Sequence, residues 1–125
     1  MMCLLSAINR LPKSEGSRQI AVYHTDQTHF SLQKNAKLLQ IPHIRAIKTR
    51  FCPEANNYVF DIDELERVLA EDKAAGITPV MLSGTIGTTS STAIDPIVEL
   101  GKICRREGIW YHVDAAYAGP AILLP

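Results

Sequence analysis

A carboxylate, an imidazole and a pair of hydroxyls stand just beyond three short apolar runs of this chain. Each is a side-chain type that handles protons or charge. Asp114 closes the run Ile109–Val113 and is followed by Ala115, Ala116, Tyr117, Ala118 and Gly119. Small residues there let a ligand approach the backbone closely. A carboxylate at that place can hold one cationic or protonated ring nitrogen. It can equally serve as a turn or cap residue that satisfies local N–H groups. His29 comes shortly after the run Arg18–Tyr23, and Thr88 and Thr89 come shortly after Pro79–Leu82, within a stretch of hydroxyls and glycines from Ser83 to Thr92. If the three runs are parallel strands, His29, Thr88 or Thr89, and Asp114 share one edge of the sheet. Ligands of open α/β sheets sit at that edge, beyond the carboxyl ends of the strands.

The intervening sequence supplies the elements such a sheet needs. Short apolar runs alternate with helical patterns, which predicts a mainly parallel α/β sheet with crossover helices. A first helix is expected over Met2–Arg10, then a polar linker from Pro12 to Gly16. A second helix is expected over Thr28–Leu39. Leu32, Ala36 and Leu39 form its buried stripe, Gln33, Lys34 and Lys37 face water, and Ile41-Pro42 stops it. Ile44–Lys48 reads as a short alternating strand and Phe51–Phe60 as a loop rich in Pro and Asn. Asp61 opens a third helix with Glu64 completing a box-like cap; Ile62, Leu65 and Leu69 face the core, and Gly76 ends it. Asp95 is expected to cap a fourth helix with Pro96 at its first position. Ile97, Leu100 and Cys104 pack inward, Arg105 and Arg106 complement the negative end, and Gly108 terminates it.

Composition narrows the function classes. Apolar content of 46%, charge of 21% and zero net charge fit a soluble globular protein. Nothing points to a nucleic acid or a membrane as partner. Cys3, Cys52 and Cys104 form no C-x-x-C pair and no even framework, which favours structural thiols in a reducing compartment. No metal-ligand spacing, no G-x-S-x-G elbow and no G-x-G-x-x-G loop occurs, so zinc, serine-hydrolase and nucleotide chemistry are poorly supported.

The motifs DQTH (Asp26–His29), GTTSSTAIDP (Gly87–Pro96) and HVDAAYAG (His112–Gly119) occur together and in order. In these the chain resembles the group II pyridoxal-phosphate-dependent decarboxylases, nearest the aromatic-L-amino-acid decarboxylase branch, from about Gln19 to Pro125. The resemblance implies the large domain of the fold-type I, aspartate aminotransferase-like fold, with residues 1–125 a fragment of that domain. It implies pyridoxal 5'-phosphate as cofactor, an aromatic amino acid as substrate, a homodimer and a cytoplasmic location. By the same resemblance Asp114 pairs with the protonated pyridine nitrogen. Ala116 packs flat against the ring, His29 stacks on its other face and takes part in catalysis, and Thr89 lies beside cofactor and substrate. Thr88 competes for the last role because alternate residues point oppositely. A histidine in the first turn of the second helix would stay neutral beside the positive helix end. His24, His43 and His112 match no functional position. Family members carry an upstream phosphate-binding loop and a downstream Schiff-base lysine with no counterpart here, so the chain alone is expected to be inactive and to bind the cofactor weakly. An aromatic acetaldehyde synthase of the same fold and a non-catalytic truncated product are the alternative readings.

Overall fold

The computed structural model describes residues 1–11 and 19–123. Four strands form one parallel sheet in the order β2-β1-β5-β6: β1 (Ile20–Thr25), β2 (His43–Ile47), β5 (Thr78–Thr85) and β6 (Trp110–Asp114). β1 and β5 lie at the centre, and their side chains read as near-continuous apolar runs because both faces of the sheet are covered. From β1 the chain crosses outward to β2 through α2 (Ser31–Leu38). From β5 it crosses the other way to β6 through α4 (Ile97–Glu107). Right-handed crossovers running in opposite directions put their helices on opposite faces. The core divides accordingly. Ala21, Tyr23 and Leu82 pack with Leu65 and Leu69 of α3 (Ile62–Ala74) and with Leu100 and Ile103 of α4. Ile20, Val22 and Val80 pack on the other face with Leu4 and Ala7 of α1 (Met2–Asn9) and with Ala36 of α2.

Three helices end in the same way. Gln40, Gly76 and Gly108 take φ of 53°, 73° and 69°, and the next residue, Ile41, Ile77 or Ile109, donates its N–H to a carbonyl five residues back. Each of those isoleucines is buried. The left-handed residue stops the helix and the apolar residue after it anchors the return to the sheet. The second helix is therefore stopped at Gln40, two residues before Pro42. At its other end the chain departs further from expectation. Thr28 Oγ1 accepts the Thr25 N–H (3.0 Å) and the Thr28 N–H donates to the Thr25 carbonyl (3.2 Å). This local turn takes the chain through Thr28 in a separate fold, and α2 begins at Ser31 rather than Thr28. Gln33 is half-buried and reaches His24 Nε2 at 3.4 Å instead of facing only water.

Two strands run further at their carboxyl ends than the sequence suggested, because His24, Thr25, Ser83, Gly84 and Thr85 continue the ladders as buried residues. The segment read as a loop is a hairpin, β3 (Thr49–Cys52) against β4 (Asn57–Phe60), antiparallel, with Asn56 at φ 47° closing the turn. Its exposed Phe51 and Tyr58 rings meet edge to face at 5.9 Å. Asp61 does cap α3, accepting the Glu64 N–H at 3.1 Å. Asp95 does not cap α4: Pro96 holds the cap position and the Asp95 side chain turns into the protein. The expected linker at Pro12–Gly16 lies outside the described residues. Among the described residues no helix is long and apolar enough to cross a membrane, and no three His, Cys, Asp or Glu side chains gather as a metal cluster.

Candidate active site

The two crossovers leave the central strands in opposite directions, so the sheet changes winding direction between β1 and β5. Loops beyond that point splay apart and leave a crevice at the carboxyl edge. A cavity of about 350 Å³ opens there, lined by His29, Ser31, Thr85, Gly87, Thr89, His112, Asp114, Ala116 and Tyr117. His29, Thr89, Asp114 and Ala116, the four residues singled out in the sequence, all line it.

Asp114 is the last residue of β6 and pairs in register with Thr85, the last of β5. Its carbonyl accepts the Ile86 N–H at 2.8 Å, which holds the strand end in place. On the side chain, Oδ1 accepts the Ala116 N–H at 3.1 Å. No hydrogen bond among the described residues occupies Oδ2. The carboxylate thus closes its own turn with one oxygen and presents the other, so the two readings of this aspartate are compatible rather than exclusive.

His29 does not sit in the first turn of α2; it stands two residues before the helix, held by the Thr25–Thr28 turn behind it. Its Nδ1 accepts the Ser31 N–H at 3.4 Å and lies 2.9 Å from Ser31 Oγ. The ring therefore serves an orphan N–H at the helix start, which leaves its proton on Nε2. The Phe30 ring packs against it with centroids 4.5 Å apart.

The loop that follows β5 discriminates between the two threonines. Thr88 is buried, its Oγ1 2.9 Å from Ser91 Oγ and accepting the Ala93 N–H at 3.0 Å. It braces the loop, and Thr89 is the one that lines the cavity. Three further supports fix this loop. The Asp95 carboxylate accepts the Thr85 N–H at 2.7 Å, and the Asp95 N–H donates to the Thr85 carbonyl at 2.9 Å. Burial pushes the Asp95 carboxyl up to about 6, against the pull of the Thr85 and Phe60 N–H groups. From the hairpin, Asn57 Nδ2 donates to the Ser91 carbonyl at 2.8 Å. Gly87 closes the arrangement. At φ 84° a Cβ there would lie 2.7 Å from Ala118 Cβ and 3.0 Å from the Tyr117 ring, so only glycine lets this loop meet the turn after β6.

Sequence reasoning did not single out Ser31, Thr85 or Tyr117, and it set His112 aside, yet all four line the cavity. His112 lies two residues before Asp114 in β6, so the two-residue period of a strand puts both on one face. That period was the available signal. His24 is buried with no access to the cavity. Its Nδ1 donates to the Thr25 carbonyl at 2.6 Å, and burial pushes its pKa down, so it stays neutral.

Comparison with known proteins bears on the same residues. Residues 8–125 match the family model of the pyridoxal-dependent decarboxylase conserved domain. The chain is 40% identical over 130 residues to tyrosine decarboxylase 2 of Arabidopsis thaliana, covering 100% of this chain and 23% of that protein. It is 38% identical over 128 residues to phenylacetaldehyde synthase of the same plant, covering 100% of this chain and 26% of that protein. The crystal structure of Catharanthus roseus tryptophan decarboxylase in complex with L-tryptophan superposes with a TM-score of 0.86 at 37% identity, covering 99% of this chain and 27% of that one. The chain thus spans about a quarter of the length of these proteins.

Proposed function

The chain belongs to the pyridoxal-dependent decarboxylase family, and from that membership we propose that it supplies part of the cofactor-binding large domain of an enzyme that removes CO2 from an aromatic L-amino acid to leave the amine. The observation that carries the reading is one cavity at the winding reversal of a parallel sheet, lined together by the carboxylate of Asp114, the imidazole of His29 and the hydroxyl of Thr89. The residues fit pyridoxal 5'-phosphate by the chemistry of their donors and acceptors. A carboxylate with one free oxygen suits a ring N–H, an imidazole suits a ring face, and a buried hydroxyl, that of Thr85, has no partner of its own.

When bound, pyridoxal phosphate supplies an electron sink for the pair left at the substrate's α-carbon as CO2 departs. Asp114 Oδ2 would accept the pyridine N–H and would keep that nitrogen protonated, because an opposite charge in hydrogen-bond contact favours the charged form. Ala116, which has only a methyl group, lets the ring lie close to the turn that its own N–H closes on Asp114. His29 would cover the opposite face, and its Nε2, which carries the ring proton, is the group that would supply a proton to the substrate carbon. Thr89 donates its hydroxyl toward the substrate carboxylate or a cofactor oxygen. The enzyme would act as a homodimer, and three free cysteines suit a cytoplasmic location.

The likeness to phenylacetaldehyde synthase supports a second reading, in which the same site releases an aldehyde by coupling decarboxylation to oxidative deamination, with dioxygen taking the electron pair to leave as hydrogen peroxide, water supplying the aldehyde oxygen and the nitrogen leaving as ammonia. One assay separates the two: amine and aldehyde are quantified together from L-tyrosine, L-DOPA, L-tryptophan and L-phenylalanine. In that assay Asp114→Asn should cut turnover by about 10²–10⁴, equivalent to roughly 3–5 kcal/mol of lost charge stabilisation. Wild-type turnover in a folded, cofactor-loaded Asp114→Asn protein would refute the assignment.

A further inference from the structure

Thr85 Oγ1 is the one buried side-chain oxygen or nitrogen among the described residues with no hydrogen-bond partner. The residue is only 4% exposed, yet it lines the cavity that Asp114 lines. A buried hydroxyl without a partner is costly, and native structures keep few of them. Nothing in the fold lets this one turn away. Asp95 grips the Thr85 backbone on both sides, through its N–H at 2.7 Å and its carbonyl at 2.9 Å. Register pairing sets Thr85 beside Asp114 at the carboxyl edge of the sheet. A rigidly held donor with no internal acceptor, next to a carboxylate with one oxygen free, is a binding element waiting for an occupant.

We propose that Thr85 is a further cofactor-contacting residue, whose hydroxyl donates to the oxygen carried by the pyridine ring that Asp114 would hold and so fixes the ring's orientation at the sheet edge. This rests on the reading of the cavity as the pyridoxal phosphate site. It separates the work of the two strand ends: Asp114 supplies charge, and Thr85 supplies a second point of attachment that stops rotation about the first.

The test uses Thr85→Val, which keeps the shape and removes the hydroxyl, and Thr85→Ser, which restores it. Affinity for pyridoxal 5'-phosphate is read by fluorescence titration of the full-length protein, and the melting temperature is read on the cofactor-free protein. Thr85→Val should weaken cofactor binding about tenfold, the scale of one net hydrogen bond, while Thr85→Ser stays within about threefold of wild type. The cofactor-free Thr85→Val protein should melt at the wild-type temperature or above it, because the variant removes an unpaired buried polar group. Undiminished affinity in Thr85→Val, or a clearly lower melting temperature of its cofactor-free form, would overturn the proposal. Asp114→Asn is titrated alongside. If it too binds with wild-type affinity, the cofactor reading of the cavity fails; if only Thr85→Val is silent, that reading stands and the role of Thr85 falls.

Discussion

Lowering the pH should stabilise the fold through Asp95, against the usual direction for a carboxylate. Asp95 is 3% exposed, and burial moves its carboxyl from 3.8 to about 6. Its folded pKa is thus above its unfolded one, and the folded protein takes up a proton that the unfolded chain has released between about pH 4 and pH 6. The associated stability is fully present below about pH 4 and is lost as pH rises through about 6. About two decades of affinity correspond to about 3 kcal/mol in all. Roughly 2 kcal/mol of that falls between about pH 4.5 and 7.5. Asp72, Glu64 and Glu107, which are shifted downward, act in the opposite sense and mask the effect in wild type. They are common to an Asp95→Asn protein, whose amide oxygen still accepts the Thr85 N–H but does not titrate. Urea unfolding of both proteins across this range isolates the term. Relative to Asp95→Asn, wild type should lose about 2 kcal/mol from the acid end to the neutral end. A difference between the two proteins that stays flat with pH would refute the claim that Asp95 is buried as a clamp.

Replacing His29 separates stacking from proton transfer. His29→Phe should retain most cofactor affinity while amine formation falls about 10²-fold, and His29→Ala should lose both; full-rate amine release by cofactor-saturated His29→Phe would leave only stacking. Gly87→Ala meets a left-handed φ of 84° and a Cβ contact of 2.7 Å with Ala118, so it should cost about 2–4 kcal/mol in thermal or urea unfolding and displace Thr89. A Gly87→Ala protein with unchanged stability and cofactor affinity would show that the two loops do not meet as described.

The parallel sheet was legible because its signals are local and repeated: apolar runs between amphipathic helices, and glycines at helix ends. Gly76 and Gly108 were read correctly for that reason, while Gln40 took the same left-handed role without a glycine to mark it. The hairpin was missed because Pro53, Glu54 and Asn56 make its turn, and turn residues dominate so short a segment. The start of α2 was misplaced because two threonine hydroxyls, Thr25 and Thr28, take the Gln27 and Thr25 N–H groups and fold a separate turn just where the helix was expected to begin. Asp95-Pro96 before an apolar run has the form of a helix cap. Only the return of the chain to Thr85 and Phe60, far away in sequence, makes it a clamp.

The same limit explains which site residues were found. His29, Thr89, Asp114 and Ala116 belong to contiguous motifs, whereas Thr85 precedes its motif, inside a strand where a polar residue disappears into an otherwise apolar reading, and His112 opens the last motif but was set aside. Burial shows why they are there. Of the seven buried polar residues in the described chain, Asp72 is paired with Arg45 and Tyr23, on β2 and β1. The other six, His24, Thr25, Ser83, Thr85, Thr88 and Asp95, all lie in the carboxyl-terminal half of β1 or β5 or in the loop that follows β5. A sheet chosen for stability alone would fill those positions with valine or isoleucine. Polar residues in a buried strand conflict with the local rule, and such conflicts gather where a protein does its work. Here they trace the edge that carries the cavity. Thr25 shapes the turn before His29, Asp95 and Thr88 set Thr89, and Thr85, whose fully buried hydroxyl lacks a partner, lines the cavity itself.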